Sequence, residues 1–175
     1  MNGKLVGGLI VIIALAVGVG VWWFQTRHYY EAIPASAAEV RLTSLVSGRP
    51  EAILADGVEA IDATSSPIRY RACFTTPMSV ALLTESYRPY ADAEPLTGPG
   101  WFSCYDASEV GEALEDGRAL AFLGEANVVF GIDRVVAIGQ DGRGYVWHQI
   151  NECGREVFEG RAAPDGCPAR PAPGD

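Results

Sequence analysis

Twenty consecutive residues near the start of the chain, Leu5 through Phe24, carry no charged and no strongly polar side chain. At a rise of 1.5 Å per residue such a run makes a helix of about 30 Å, the thickness of the hydrocarbon core of a bilayer. A membrane-spanning helix is therefore predicted. Trp22, Trp23, Tyr29 and Tyr30 at its far end read as an interfacial aromatic belt, to which His28 also belongs.

After this run the apolar residues become periodic. The clearest case is residues 68–75, where Ile68, Tyr70, Ala72 and Phe74 alternate with Arg69, Arg71 and Cys73 between two prolines. That period of two predicts a strand. Residues 133–138 and 145–150 flank a Gly- and Asp-rich turn and predict the best hairpin, with Ile138 opposite Tyr145, Val136 opposite Trp147 and Val135 opposite His148. Large apolar groups on both of its faces place it centrally in a sheet. A second hairpin is predicted from residues 51–54 and 58–63 around Asp56-Gly57. Residues 40–45 read as a brief strand or helical turn, and 101–105, 119–123 and 128–130 as further strands. Residues 79–100 read as a short apolar piece followed by a long Pro- and Gly-rich loop.

One helix stands out in this part. Asp106 is an N-cap, Glu109 follows three residues later, residues 107–116 carry the apolar stripe Val110, Ala113 and Leu114, and Gly117 stops the helix. The expected fold is thus α+β: one transmembrane helix, then a small, mostly antiparallel sheet domain with one main helix. Its parts are an N-terminal stub and anchor (1–27), a tether (28–38), the α+β domain (39–161) and an irregular tail (162–175). With 175 residues in all, about 140 remain for one folded domain.

Charge refines this picture. The chain carries a formal charge of −9, and from residue 36 onward 11 Arg, no Lys and 21 Asp plus Glu give −10. Such a surface repels phosphate backbones and anionic head groups, which argues against nucleic acid and against a peripheral grip on lipid. Lys4 precedes the apolar run, so the positive-inside rule puts the N-terminus in the cytoplasm and the domain outside. Ala35-Ser36-Ala37 resembles a signal-peptidase site, but the apolar run exceeds the roughly 7–15 residues of a signal h-region, which favours a retained anchor.

Cys73, Cys104, Cys153 and Cys167 form an even set in a domain expected to face an oxidising compartment, so two disulfides are predicted. Among the three connectivities, Cys73 with Cys104 joins two predicted strands and Cys153 with Cys167 clips the C-terminal segment to the hairpin's exit; this pairing is favoured. No CxxC or HxxxH spacing suggests zinc or thiol redox chemistry, and no cofactor is expected. GxSxG, HExxH, P-loop and dinucleotide fingerprints are absent as well. Arg69 and Arg71, on one strand face, have the forked donors that grip a carboxylate or phosphate, and with His148 they form a candidate ligand pocket. Glu109, Glu112, Glu115 and Asp116 give the helix an acidic face, a candidate partner surface or simply a solvated one. Ala14, Ala16, Gly18 and Gly20 supply small-xxx-small spacings for a second membrane helix.

The opening Met1-Asn2-Gly3-Lys4, the segment Ser66-Pro67-Ile68-Arg69-Tyr70-Arg71-Ala72-Cys73-Phe74, the segment Trp101-Phe102-Ser103-Cys104-Tyr105-Asp106-Ala107 and the block 141–149 carry a further signal. Together they resemble a small, uncharacterised family of single-pass bacterial inner-membrane proteins, sometimes loosely labelled histidine kinase. The resemblance implies that location and carries over no catalytic residue. The histidine kinase label finds no dimerisation-phosphoacceptor helix pair and no Gly-rich ATP lid to rest on. The leading expectation is a non-enzymatic accessory or assembly protein that meets an integral membrane complex or a basic periplasmic protein. The alternative is a ligand-sensing ectodomain, disfavoured because only about four residues precede the helix to carry an output; a hydrolase comes last. Oligomeric state is not legible.

Overall fold

A computed structural model describes residues 2–171. The first helix, α1 (Gly3–Trp23), runs into a π-helical turn, Phe24–His28, before the chain enters the domain. Then follow β1 (Glu31–Ile33), β2 (Arg41–Thr43), β3 (Pro50–Ala52), β4 (Asp56–Asp62), β5 (Arg71–Thr75), α2 (Val80–Ser86), α3 (Ala107–Glu115), β6 (Ala119–Val129), β7 (Ile132–Gly139), β8 (Arg143–Ile150) and α4 (Glu152–Phe158). Among the described residues α1 is the one helix long and apolar enough to cross a membrane.

Six strands form an antiparallel sheet in the order β1-β4-β5-β8-β7-β6, and β2 and β3 form a separate ribbon. Strand alternation divides the core in two. On one face Ala72, Phe74, Phe122, Val136, Ile138 and Val146 pack against Leu42 of β2 and Leu83 of α2. On the other, Ile61, Cys73, Ala121, Val135, Ala137 and Trp147 pack against Val110 of α3 and against Phe102 and Tyr105. The interior strands β5, β8 and β7 are apolar on both faces because both are covered. The expected α+β architecture and both disulfides, Cys73–Cys104 and Cys153–Cys167, are present.

Several local expectations are corrected. Residues 51–54 and 58–63 do not pair with each other: β3 pairs with β2, whereas β4 pairs with β1 and β5. Gly57, at φ +61°, makes a register shift within β4 instead of a hairpin turn. The tether contributes β1 to the sheet edge and Ala38 to the core. The two strands expected at 119–123 and 128–130 are one, β6, with register shifts on either side of Glu125, and Phe130 falls in the turn after it. Gly124 lies inside it because a Cβ there would come within 3.0 Å of the Arg134 carbonyl and 3.2 Å of that of Arg41.

The β7–β8 hairpin is offset by one residue: Ile138 faces Gly144, Val136 faces Val146 and Val135 faces Trp147. Gly144 belongs to the strand because the ring of Phe74 lies where its side chain would be, at 2.1 Å from an added Cβ. Residues 101–105 are turn and loop, not strand: their aromatics plug the sheet face from above while Cys104 is tied to Cys73. Two short helices escaped the sequence reading. Ser79 caps α2 through Leu82 N–H, and Asn151 caps α4 through Gly154 N–H. Of the expected irregular tail, residues 172–175 lie outside the described residues.

Candidate functional site: a polar cleft at the end of the sheet

A cleft of about 710 Å³ opens where β7 begins and β8 ends. Its centre is Asp133, the second residue of β7, buried despite its charge. Oδ1 accepts from the Asn127 backbone N–H at 2.9 Å and from Asn151 Nδ2 at 2.7 Å, and Oδ2 accepts from the Tyr90 hydroxyl at 3.2 Å. Asn127 has φ +51° in the register shift near the end of β6, and its Oδ1 accepts from Gly131 N–H in the β6–β7 turn at 3.0 Å. One carboxylate thus joins the loop after α2, the irregular end of β6 and the cap of α4. Burial, and then the Asp133 charge, push the Tyr90 phenol well above its ordinary value, so it acts as a neutral donor.

Gln149 forms the neighbouring wall. Its Oε1 accepts from Trp147 Nε1 at 3.0 Å and Glu94 N–H at 2.9 Å, and its Nε2 donates to Asp92 O at 2.8 Å. These groups satisfy one another, so the floor is a fixed polar scaffold. The available donors are at the rim, where Arg88 and Arg155 are exposed and make no side-chain hydrogen bond or ion pair among the described residues. Their forked donors suit an oxygen-rich ligand such as a carboxylate, although four acids, Asp92, Asp133, Glu152 and Glu156, line the same cleft. None of these residues was read from the sequence as a site. The one local signal that could have found them is Asn151 ahead of Glu152, the start of α4, but Asp133, Asn127 and Asn151 meet only in the fold.

The expected pocket of Arg69, Arg71 and His148 is not assembled. Arg71 pairs with Trp147 across β5 and β8 and faces the α3 side, whereas His148 follows Trp147 and faces the opposite side. Arg71 is 3 % exposed; Nε donates to Leu96 O at 2.7 Å, Nη1 to Ile68 O at 2.8 Å and Tyr70 O at 2.7 Å, and Nη2 to Thr97 O at 3.1 Å. It is therefore a cross-brace for the 96–97 segment. Arg69 lies 5.6 Å over the Tyr30 ring.

His148 stacks on Tyr70 at 4.9 Å, and Arg134 lies 4.7 Å over the same Tyr70 ring. The Pro67 carbonyl, 2.7 Å from Nδ1, can only accept, so Nδ1 carries the proton and Nε2 accepts from Arg134 Nε at 3.0 Å. Burial, chiefly, and then the Arg134 charge push the imidazole down from 6.5 to about 4, against the Pro67 bond. The folded state thus binds fewer protons than the unfolded state across that interval. The stability contributed by neutral His148 is complete above pH 6.5 and is lost as pH falls to about 4, a change of about 3 kcal/mol. Asp62, whose carboxyl is raised by burial, works in the opposite direction. Urea unfolding at pH 7 and pH 4.5 of the wild type and of His148→Gln isolates the effect: the variant is expected to lose less stability on acidification. Equal losses would contradict the buried neutral imidazole.

On α3, Glu109 reaches Arg143 at 3.5 Å and Asp116 reaches Arg118 at 3.2 Å, while Glu112 and Glu115 are exposed. Part of the acidic face is therefore neutralised at short range. Ala14, Ala16, Gly18 and Gly20 lie on α1, none of whose residues is buried. Glu59, Cys73 and Cys104 bring three ligand atoms within 4.8 Å of one another, but the two sulfurs are bonded to each other and supply no thiolate.

No curated protein and no solved structure matches the chain. A family model described as a family of unknown function, DUF6446, matches residues 40–168, from the approach to β2 through the Cys153–Cys167 bridge. Since that match covers most of the molecule and all of the folded core from β2 onward, the chain belongs to the family of unknown function DUF6446.

Proposed function

We propose that this is a single-pass protein of the bacterial inner membrane, N-terminus inside, whose acidic periplasmic domain serves a membrane complex as a non-enzymatic accessory or assembly factor. The observation that carries the reading is α1: a 21-residue apolar helix that buries none of its side chains against the domain. Such a surface is stable in hydrocarbon or against another apolar helix, and the small residues at 14, 16, 18 and 20 allow close helix approach. Outside, the charge of −10 from residue 36 onward and the exposed Glu112 and Glu115 complement a basic partner. Histidine kinase chemistry has no support in the domain, where both ring nitrogens of the buried His148 are occupied.

Alkaline carbonate extraction followed by cross-linking in native membranes tests this. The full chain is expected in the membrane pellet, cross-linked to a second protein. A soluble species starting near Ala38 would overturn the anchor, and recovery of the chain alone as a monomer would overturn the accessory role.

A second reading, a ligand-binding ectodomain, is favoured by one observation: Arg88 and Arg155, which make no side-chain hydrogen bond or ion pair among the described residues, line the Asp133 cleft. Thermal-shift screening with small carboxylates, comparing wild type with Arg88→Glu/Arg155→Glu, tests it; identical shifts would discard it.

A further inference from the structure

A second cleft, of about 480 Å³, lies beside the end of α1 and is lined by Gln25, Tyr30, Ser66, Arg69, Arg71 and the segment 96–99. Gln25 is two residues beyond Trp23, the last residue of α1. At ~1.5 Å per residue it stands about 3 Å past the helix end, within a headgroup layer about 5–8 Å thick. If α1 spans a bilayer, as proposed above and as this inference requires, the cleft opens at headgroup depth.

Its chemistry is opposite to that of the domain as a whole. Two arginines line it and no carboxylate does. Arg71 has four of its five N–H donors on the carbonyls of residues 68, 70, 96 and 97, which leaves one donor on Nη2. Carbonyl dipoles solvate this buried cation but do not cancel its charge, and the acid that acts on it, Asp62, lies outside the cleft. Arg69 makes no side-chain hydrogen bond or ion pair among the described residues and rests on the Tyr30 ring. Trp101, 36 % exposed, packs edge-on to the same ring at 6.1 Å. Tyr and Trp with a neighbouring cation are the side chains a bilayer interface favours.

We propose that this cleft binds the phosphate of an anionic phospholipid headgroup, gripped by Arg69 and the remaining Arg71 donor, with Tyr30 and Trp101 at the interface. The domain is then seated on the membrane beside its own anchor. The acidity that repels lipid over most of the surface turns this one face toward the bilayer, because here two cations line a cleft that no carboxylate lines.

The full chain in nanodiscs of phosphatidylcholine with a minority of phosphatidylglycerol, analysed by native mass spectrometry for retained lipid, tests the seat. Retained phosphatidylglycerol is expected to be enriched about fivefold over the bulk ratio, the effect of one interfacial arginine. Arg69→Gln returns it to bulk, and Arg69→Lys, which keeps the charge but not the fork, retains part of it. Enrichment that survives Arg69→Gln, or bulk composition in the wild type, overturns the proposal. Displacement of the lipid by glycerol 3-phosphate or inorganic phosphate would also overturn it, by assigning the cleft to a soluble phosphate. A chain that fails to co-elute with the discs refutes the anchor, whereas one that inserts but holds bulk lipid refutes only the seat.

Discussion

Trp147→Ala is expected to destabilise the domain by about 3–5 kcal/mol, a large part of the roughly 5–15 kcal/mol that holds a typical domain together. Trp147 is fully buried on β8, between Arg71 of β5 and Val135 of β7, under Ile61, Phe102, Tyr105 and Val110. Those neighbours come from the sheet, the 88–106 segment and α3, so they cannot close together over the void. Their immobility adds a cavity penalty to the lost transfer energy. The indole Nε1 bond to Gln149 Oε1 disappears as well, though Gln149 keeps Glu94 N–H and Asp92 O. Urea unfolding of the detergent-solubilised chain, followed by far-UV circular dichroism, measures the loss. Trp147→Phe, which keeps most of the volume, should lose markedly less. A loss under about 1 kcal/mol for the alanine variant would mean that α3 and its loop do not pack on this face.

Opening the Cys73–Cys104 bridge comes next, at about 4 kcal/mol, against about 3 for Cys153–Cys167, from the loop-closure entropy of each. The bridges span sequence separations of 31 and 14. The longer one also holds the segment that carries Phe102 and Tyr105 over Trp147, and Cys73 itself is in the core. The shorter one clips an irregular segment to α4, outside both core clusters. Thermal unfolding of Cys73→Ala/Cys104→Ala and of Cys153→Ala/Cys167→Ala should rank them in that order. The reverse order would show that the C-terminal clip, and not the 88–106 segment, governs unfolding.

Elements that depend on neighbours in sequence were legible. Asp106 accepts from Ser108 and Glu109 N–H, Gly117 has φ +70°, and α3 lies between them, within one residue of the predicted span. The alternation around β5 likewise sends Ala72 and Phe74 to one core and Cys73 to the other. Errors arose where a residue answers to something distant. Gly144 reads as turn but is strand because the Phe74 ring covers it, and that one residue shifts the pairing of β7 with β8. Gly124 reads as a break between two strands but is the point where β2 presses on β6. Trp101 through Tyr105 have strand composition, yet their aromatics are spent on plugging a face that other strands build.

The sites divide in the same way. Arg69 and Arg71 were visible as neighbours and do share a cleft, but the sequence could not say that Arg71 is a buried brace or that the residues just past the end of α1 complete that cleft. His148 was grouped with them because strand pairing across the sheet, which decides the face, is not local information. By itself the sequence determined the apolar helix, the acidity of the domain, the α+β class and the even cysteine count, all set by composition and short-range period. Only the tertiary structure decided which strands pair, that Asp133 gathers three separate segments, and that the cationic cleft lies at the end of α1. Each of these joins residues far apart in the chain, and such contacts are chosen by which buried surfaces fit together, not by the preferences of any one segment.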